Sequence, residues 1–202
     1  MNSGPTTAQI TLLEGSREFF PALVQAMDGA RHEIHLETYI FDFHGAAADV
    51  AQALERAALR GVPTCVVVDG VGTPHVPLVW QQRLAQAGVQ WQTFEPVAPL
   101  GLLVPSRWRR LHRKLCVVDG EVAFCGGINI LDDCYDPYHG TLQQPRLDFA
   151  VQARGALVQQ TQETMTQLWW RLQAVRHVRQ HNFPEAFSGS HTFASAGHIR
   201  PV

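Results

Sequence analysis

Of the 16 basic side chains in this chain, only Lys114 is a lysine. It stands two residues after His112 in the run RWRRLHRKLCVVDGEVAFCGGINI. A composition that supplies almost every cation as arginine uses lysine where the geometry differs. A guanidinium is a broad planar fork, whereas an ammonium is a compact point charge that fits beside a nucleophile on one phosphate oxygen. His112, Lys114 and Asp119 form H-x-K-x4-D, and seven residues beyond the aspartate begins Gly126-Gly127-Ile128-Asn129. The first string is a modest signal by itself; joined to Gly-Gly-x-Asn in a strand–turn–strand context it is a strong one.

These residues require a particular local frame. Leu111 to Val118 reads as a short strand, Asp119-Gly120 as a two-residue hairpin turn, and Glu121 to Cys125 as the returning strand. Alternate side chains of a strand share a face, so His112 and Lys114 point the same way, roughly 7 Å apart along the chain, and can grip one phosphate. Asp119 has the opposite parity and lies about 16 Å from Lys114. It is either a turn residue or a more distant partner in catalysis. A histidine that attacks phosphorus must be neutral and becomes a cation on attack, so a carboxylate on its other nitrogen helps at each stage. Asp148, opening the strand-like run RLDFAVQARG, is the preferred source of that carboxylate. Asp132, Asp133 and Asp136, clustered in a loop with Pro137 and Gly140, are its competitors. Gly126-Gly127 reads as a tight turn into a short helical segment, with Gly127 offering backbone N–H and Asn129 its amide to a phosphate.

The run HRKLCVVDGEVAFCGGINILDD resembles the catalytic motif of the phospholipase D superfamily, and RWRRLHRKLCVVDG followed by GGINI resembles bacterial cardiolipin synthases in particular. LLEGSREFFPALVQAMDGARHEIHLETYIFDF and GVPTCVVVDGVGT are similar to the opening of that family's amino-terminal half, so the resemblance runs from about residue 10 to about residue 175. It implies a metal-independent phosphodiester exchange through a phosphohistidine, with acid–base help from a second histidine. By that resemblance His112 and Lys114 are catalytic, Asp119 completes the motif, Asn129 and Gly127 bind the phosphate, and Asp148 partners the histidine. The chain departs from the family in one respect: two H-x-K motifs form each active site, and one lysine excludes a second. Either two copies meet, or the chain is one half of a longer protein.

Composition bounds the rest. At 46% hydrophobic and 17% charged residues the chain is ordinary globular material, long enough for one α/β domain. Its net charge of −2 gives no global basic field, so nucleic acid is not an expected partner. Positive charge is local, at Arg107, Arg109, Arg110, Arg113 and Lys114 around Trp108, which suits a phospholipid or an anionic membrane surface, or a solvated arginine face. The four cysteines lack C-x-x-C spacing, and Cys65, Cys116 and Cys125 read as buried thiols. Histidines other than His112 are scattered singly, so neither a metal nor another cofactor is expected. No amino-terminal leader and no run of 18 apolar residues is visible, and a peripheral place at the cytoplasmic face of the membrane is expected.

Helical and strand patterns alternate: helices over Ser16 to Asp28 (Ser16 as N-cap), Ala46 to Arg60 and Pro77 to Ala87; strands over His32 to Phe41, Val62 to Asp69, Val89 to Phe94 and Leu147 to Arg154. A long helix follows, with Leu157, Thr161, Met165, Leu168 and Leu172 in one stripe. The expected fold is α/β, a mainly parallel mixed sheet covered by helices on both faces. Residues 1–178 form the catalytic domain and 179–202 a linker-like tail. Val97 to Pro105 is an apolar, proline-bounded segment, either a lipid-facing loop or a buried crossover. Three functions fit: a phosphatidyltransferase making cardiolipin from a substrate such as phosphatidylglycerol, a homodimeric phosphodiesterase or nuclease, or a non-catalytic lipid-binding domain. The motif favours the first.

Overall fold

The computed structural model describes residues 8–95, 110–136 and 140–182, with side chains as far as residue 177. The elements run β1 (Gln9–Glu14), α1 (Gly15–Gly29), β2 (Ile34–Thr38), α2 (Ala46–Leu59), β3 (Thr64–Asp69), α3 (Leu78–Ala87) and β4 (Gln90–Phe94). After them come β5 (Lys114–Val118), β6 (Val122–Gly126), β7 (Tyr135–Asp136), β8 (Gly140–Thr141), β9 (Phe149–Arg154) and α4 (Ala156–Asn182). Seven strands form one sheet in the order β1-β9-β6-β5-β2-β3-β4, and β7 and β8 form a small ribbon.

The connections dictate the strand directions. Between β2, β3 and β4 the chain crosses over through α2 and α3, and these ladders are parallel. The ladders β2–β5, β5–β6, β6–β9 and β1–β9 are antiparallel. The sheet is therefore mixed, as expected, with its parallel ladders gathered on one side. The extra antiparallel edge comes from β1, which the sequence reading did not assign. Of its six residues only Leu13 is buried, so it carries little hydrophobic signal and is held by its ladder to β9.

Helices cover both faces. Phe19, Phe20, Leu23 and Met27 of α1, Val50 and Leu54 of α2 and Leu84 of α3 pack on Ile34, Leu36, Val66, Val68 and Phe124 of the sheet. On the other face, Val158 and Met165 of α4 meet Val117 and Ala123, and Trp169 meets Cys65, Val67 and Leu111. Of the expected stripe Met165 is buried and Leu168 and Leu172 pack against the core, while Leu157 is exposed and Val158 and Trp169 are buried beside them. Leucine and methionine spacing alone did not count Trp169 as the anchor.

Several ends follow the sequence signals. Gly88 closes α3 in the left-handed region at φ 93°. Asp119 and Gly120 turn the β5–β6 hairpin with φ 55° and 65°, and Glu121 N–H donates to the Val118 carbonyl at 3.0 Å. Positive φ at both central positions is the primed turn that matches strand twist. Ser16 does not cap α1; its N–H donates to the Asp133 carboxylate, a cap brought from far along the chain. Cys65 and Cys116 are buried, but Cys125 is exposed. The tail beyond Asn182 and the segment Val97 to Pro105 lie outside the described residues, and α4 runs past the expected domain boundary at 178.

Candidate active site

Lys114 opens β5, with His112 just before the strand. The lysine is buried at 8% exposure, while His112 is exposed. The strand begins at Lys114 rather than at the expected Leu111, so strand parity does not set this pair, yet the two side chains meet: Lys114 Nζ lies 3.5 Å from His112 Nδ1 and donates to the His112 carbonyl at 3.0 Å. An ammonium has only protons to offer, so the contact suits a proton-free Nδ1 on a neutral imidazole. Burial holds the Lys114 pKa below its ordinary value, and the Asp148 carboxylate opposes that shift.

The segment presenting His112 is pinned by Asp69 at the end of β3. Its fully buried carboxylate accepts Leu111 N–H at 2.8 Å through Oδ2, and the N–H groups of Val71 and Gly72 through Oδ1. In the sequence Asp69 stands only as the end of an expected strand, and the Asp-Gly pair there looks like any turn. Tyr39, just past β2, is the second residue that sequence reading missed. Its ring centroid lies 5.1 Å from that of His112 and 5.6 Å from Lys114 Nζ.

Gly126 ends β6 and Gly127 bends the chain, but no helix follows, and Ile130 bridges to Phe41. Gly127 N–H is already given to the Phe149 carbonyl at 2.9 Å. The expected amide donor at this position is therefore engaged within the sheet. What glycine supplies instead is room, because a Cβ there would fall 2.0 Å from Asp148 Oδ1. Asn129 Oδ1 accepts Ile40 N–H at 3.0 Å, an orientation that leaves its NH2 as the group able to donate to a phosphate oxygen.

Asp148 is brought to the site through its field on Lys114, and its Oδ1 accepts Phe149 N–H at 2.8 Å. Among the described residues no hydrogen bond joins Asp148 to the His112 ring. Its competitors Asp132 and Asp133 serve the backbone: Asp132 Oδ1 accepts Cys134 N–H, and Asp133 caps α1. Asp119 sits at the far end of β5 from Lys114. Its carboxylate accepts the N–H groups of Arg31, His32 and Glu33 at 2.9, 2.7 and 2.9 Å. Burial raises its pKa, but those three donors outweigh it and hold the carboxyl below its usual range. The third member of H-x-K-x4-D is thus a latch between the hairpin turn and the entry to β2, at the other end of β5 from Lys114.

Arg113, between His112 and Lys114, points to the opposite sheet face. It binds the buried carboxylate of Glu37 through Nε, and through Nη2 at 3.1 Å. Burial pushes Glu37 up to about 7 against the opposing charge and hydrogen bonds of Arg113. Arg110 donates to the Glu95 carbonyl at 3.2 Å and lies 3.6 Å from Asp69. Two arginines of the expected local positive patch, Arg110 and Arg113, therefore brace the site from within; Arg107, Trp108 and Arg109 lie outside the described residues. Among the described residues no group of three His, Cys, Asp or Glu side chains is placed to hold a metal ion, and no helix is long and apolar enough to cross a membrane.

Comparison with known proteins gives a consistent result. The family model described as "Cardiolipin synthase, PLD-like domain" matches residues 23–169. Cardiolipin synthase B of Salmonella typhi is 36% identical over 150 residues, covering 74% of this chain and 36% of that protein. Its namesake from Escherichia coli K12 is 31% identical over 172 residues, covering 81% and 41%. The chain thus spans about two fifths of the length of these curated relatives. Among solved structures, the phospholipase D family member Nuc from Salmonella typhimurium matches with a TM-score of 0.59 at 20% identity, over 81% of this chain and 95% of that one. NucT from Helicobacter pylori matches at 0.52 and 14%, over 85% and 97%. At those identities the two structures speak to the fold.

Proposed function

The chain belongs to the cardiolipin synthase family of phospholipase D-like domains, and from that premise we propose that it is one catalytic domain of a phosphatidyltransferase that exchanges phosphodiesters between phospholipids through a phosphohistidine. The observation that carries the reading is the pairing of an exposed His112 with the buried Lys114 ammonium 3.5 Å away; the Asn129 amide, its oxygen fixed on Ile40 N–H, supports it. In the first half-reaction a neutral His112 nitrogen forms a bond to phosphorus while the phosphorus–oxygen bond to the departing alcohol breaks. Lys114 and the Asn129 amide hold the phosphate oxygens as charge builds on them. In the second, an acceptor hydroxyl loses its proton and displaces His112. Phosphatidylglycerol suits both roles, since it carries the phosphodiester and free hydroxyls. Asp148 steadies the positive charge of the pair, and Asp119 and Asp69 hold the backbone that presents them.

A single imidazole cannot be unprotonated for attack and protonated for the leaving alkoxide at once. The acid is therefore the histidine of a second H-x-K domain, carried on the same polypeptide or on a second copy, across the cleft from His112. The relatives' length, well over the shared stretch, leaves room for such a domain. The protein acts at the surface of the membrane that holds its substrate, on its cytoplasmic face, with residues 1–178 as catalytic domain and 179–202 as tail.

The test is to incubate vesicles containing labelled phosphatidylglycerol with the 202-residue chain, held monomeric as judged by light scattering, and with an assembly that supplies a second H-x-K domain. Cardiolipin formation by the assembly and not by the monomer is the expected result, with loss of nearly all turnover on His112→Ala. Normal turnover by the monomer would overturn the two-histidine mechanism, and no lipid transfer by the assembly would overturn the substrate class.

A further inference from the structure

Beyond the end of β2, Tyr39 and Ile40 are held from two sides. Thr73 Oγ1 donates to the Tyr39 carbonyl at 3.0 Å and accepts Phe41 N–H at 2.9 Å. Gly72 comes so close that a Cβ on it would fall 2.3 Å from the Tyr39 carbonyl oxygen. From the other side, Asn129 Oδ1 accepts Ile40 N–H at 3.0 Å, and Ile130 N–H donates to the Ile40 carbonyl at 3.1 Å. A backbone fixed in this way fixes the ring it carries. That ring is tilted 45° to the His112 imidazole, with centroids 5.1 Å apart, and Lys114 Nζ is 5.6 Å from its centroid.

One carboxylate ties both sides of this contact together. Asp69 holds Leu111 N–H beside His112 with one oxygen and the Val71 and Gly72 N–H groups with the other. The segment presenting His112 and the loop bracing Tyr39 thus share one buried anchor. The contact between the rings is set by the fold on both sides, where two surface side chains meeting by chance would have freedom to part.

The chemistry gives such a ring a use. When His112 attacks phosphorus it becomes a cation within reach of another cation, Lys114. A second carboxylate against the pair would ease that repulsion, yet it would also repel the phosphate. An aromatic face carries a negative quadrupole with no net charge, so it favours both cations without opposing the anionic substrate. We infer that Tyr39 is a positioning residue whose ring, through its π face rather than its hydroxyl, holds the His112 imidazole beside Lys114 and stabilises the positive charge it gains on attack. This rests on His112 being the nucleophile.

The test compares Tyr39→Phe, which keeps the ring, with Tyr39→Leu, which removes it at similar bulk. The His112 pKa is read by NMR titration of the 202-residue chain, with His112→Ala identifying the resonance and circular dichroism confirming the fold. Phosphatidyl transfer is measured in the two-domain assembly. Tyr39→Phe should leave both within about twofold. Tyr39→Leu should lower the His112 pKa by about half a unit and reduce kcat about tenfold with KM nearly unchanged. An equal loss in Tyr39→Phe would overturn the assignment to the ring, as would an unchanged His112 titration in Tyr39→Leu. Should no variant, the parent included, transfer phosphatidyl groups, the lipid reading fails while the titration still decides what Tyr39 does to His112.

Discussion

Asp148 Oδ1 occupies the space that a Cβ on Gly127 would need, 2.0 Å from its ideal position. The glycine at the bend after β6 and the carboxylate before β9 are therefore one fitted unit. Gly127→Ala should displace Asp148 and, with it, the negative field on Lys114. About a hundredfold loss of transfer activity is expected, on the scale that a misplacement of about 1 Å near reacting atoms can cost. Activity within twofold of the parent, in a variant with an unchanged fold, would separate Gly127 from the carboxylate. Asp148→Asn keeps the shape and removes the charge, so it should impair turnover while leaving the melting temperature close to the parent's.

Lys114 is the one lysine, and its surroundings explain why arginine does not replace it. The side chain is buried, and its nitrogen contacts both the ring and the carbonyl of His112. A guanidinium is wider, cannot lose its proton and would push the imidazole aside. Lys114→Arg should therefore cost most of the activity despite conserving charge, about a hundredfold or more in kcat. Near-normal transfer by this variant would show that charge alone suffices.

Much of this site was legible because spacing and turn chemistry are local rules, even though β5 starts at Lys114 and leaves His112 before the strand. His112 and Lys114 two apart, the Asp-Gly turn and the strand returning from it follow from spacing and turn chemistry within one hairpin. Tyr39, Asp69 and Glu37 were not legible for the converse reason. Each reaches the hairpin through tertiary contacts, Tyr39 by ring packing, Asp69 through Leu111 N–H and Glu37 through Arg113. Nothing in ETYIF or VVVDG distinguishes them from strand ends. The sheet shows the same division. Strands separated by amphipathic helices declared themselves parallel, whereas β1, exposed at the edge and held by its ladder to β9, carried no pattern of its own.

Asp119 separates stability from chemistry. Its carboxylate accepts three backbone N–H groups, whereas an asparagine amide has one oxygen to offer them. Asp119→Asn keeps the turn preference but should lower stability by about 1 to 2 kcal/mol, leaving turnover at permissive temperature near that of the parent. The carboxyl's depressed pKa gives the pH signature. Its contribution is present above the ordinary value of 3.8 and is lost as pH falls through the lower folded-state value. Acid unfolding of Asp119→Asn should be correspondingly shallower than that of the parent, and a large loss of turnover with unchanged stability would restore Asp119 to the catalytic groups.

Glu37 should give the opposite slope. Burial raises its folded-state pKa to about 7 from an ordinary 4.5, with Arg113 opposing the shift. Below 4.5 the carboxyl is protonated whether the chain is folded or not, so it contributes no pH dependence there. Between 4.5 and about 7 the folded protein retains a proton that the unfolded chain has released, and stability falls as pH rises across this window. Above it the carboxylate is charged in both states and the dependence flattens. Glu37→Gln removes the titration while keeping polar contact with Arg113, so urea midpoints measured from pH 4.5 to pH 7 should lose this component of their decline. Because Arg113 lies between His112 and Lys114 on the chain, the same variant should leave their pairing in place. Parallel declines in Glu37→Gln and the parent would show that Glu37 is already ionised across the range, held so by Arg113 against its burial.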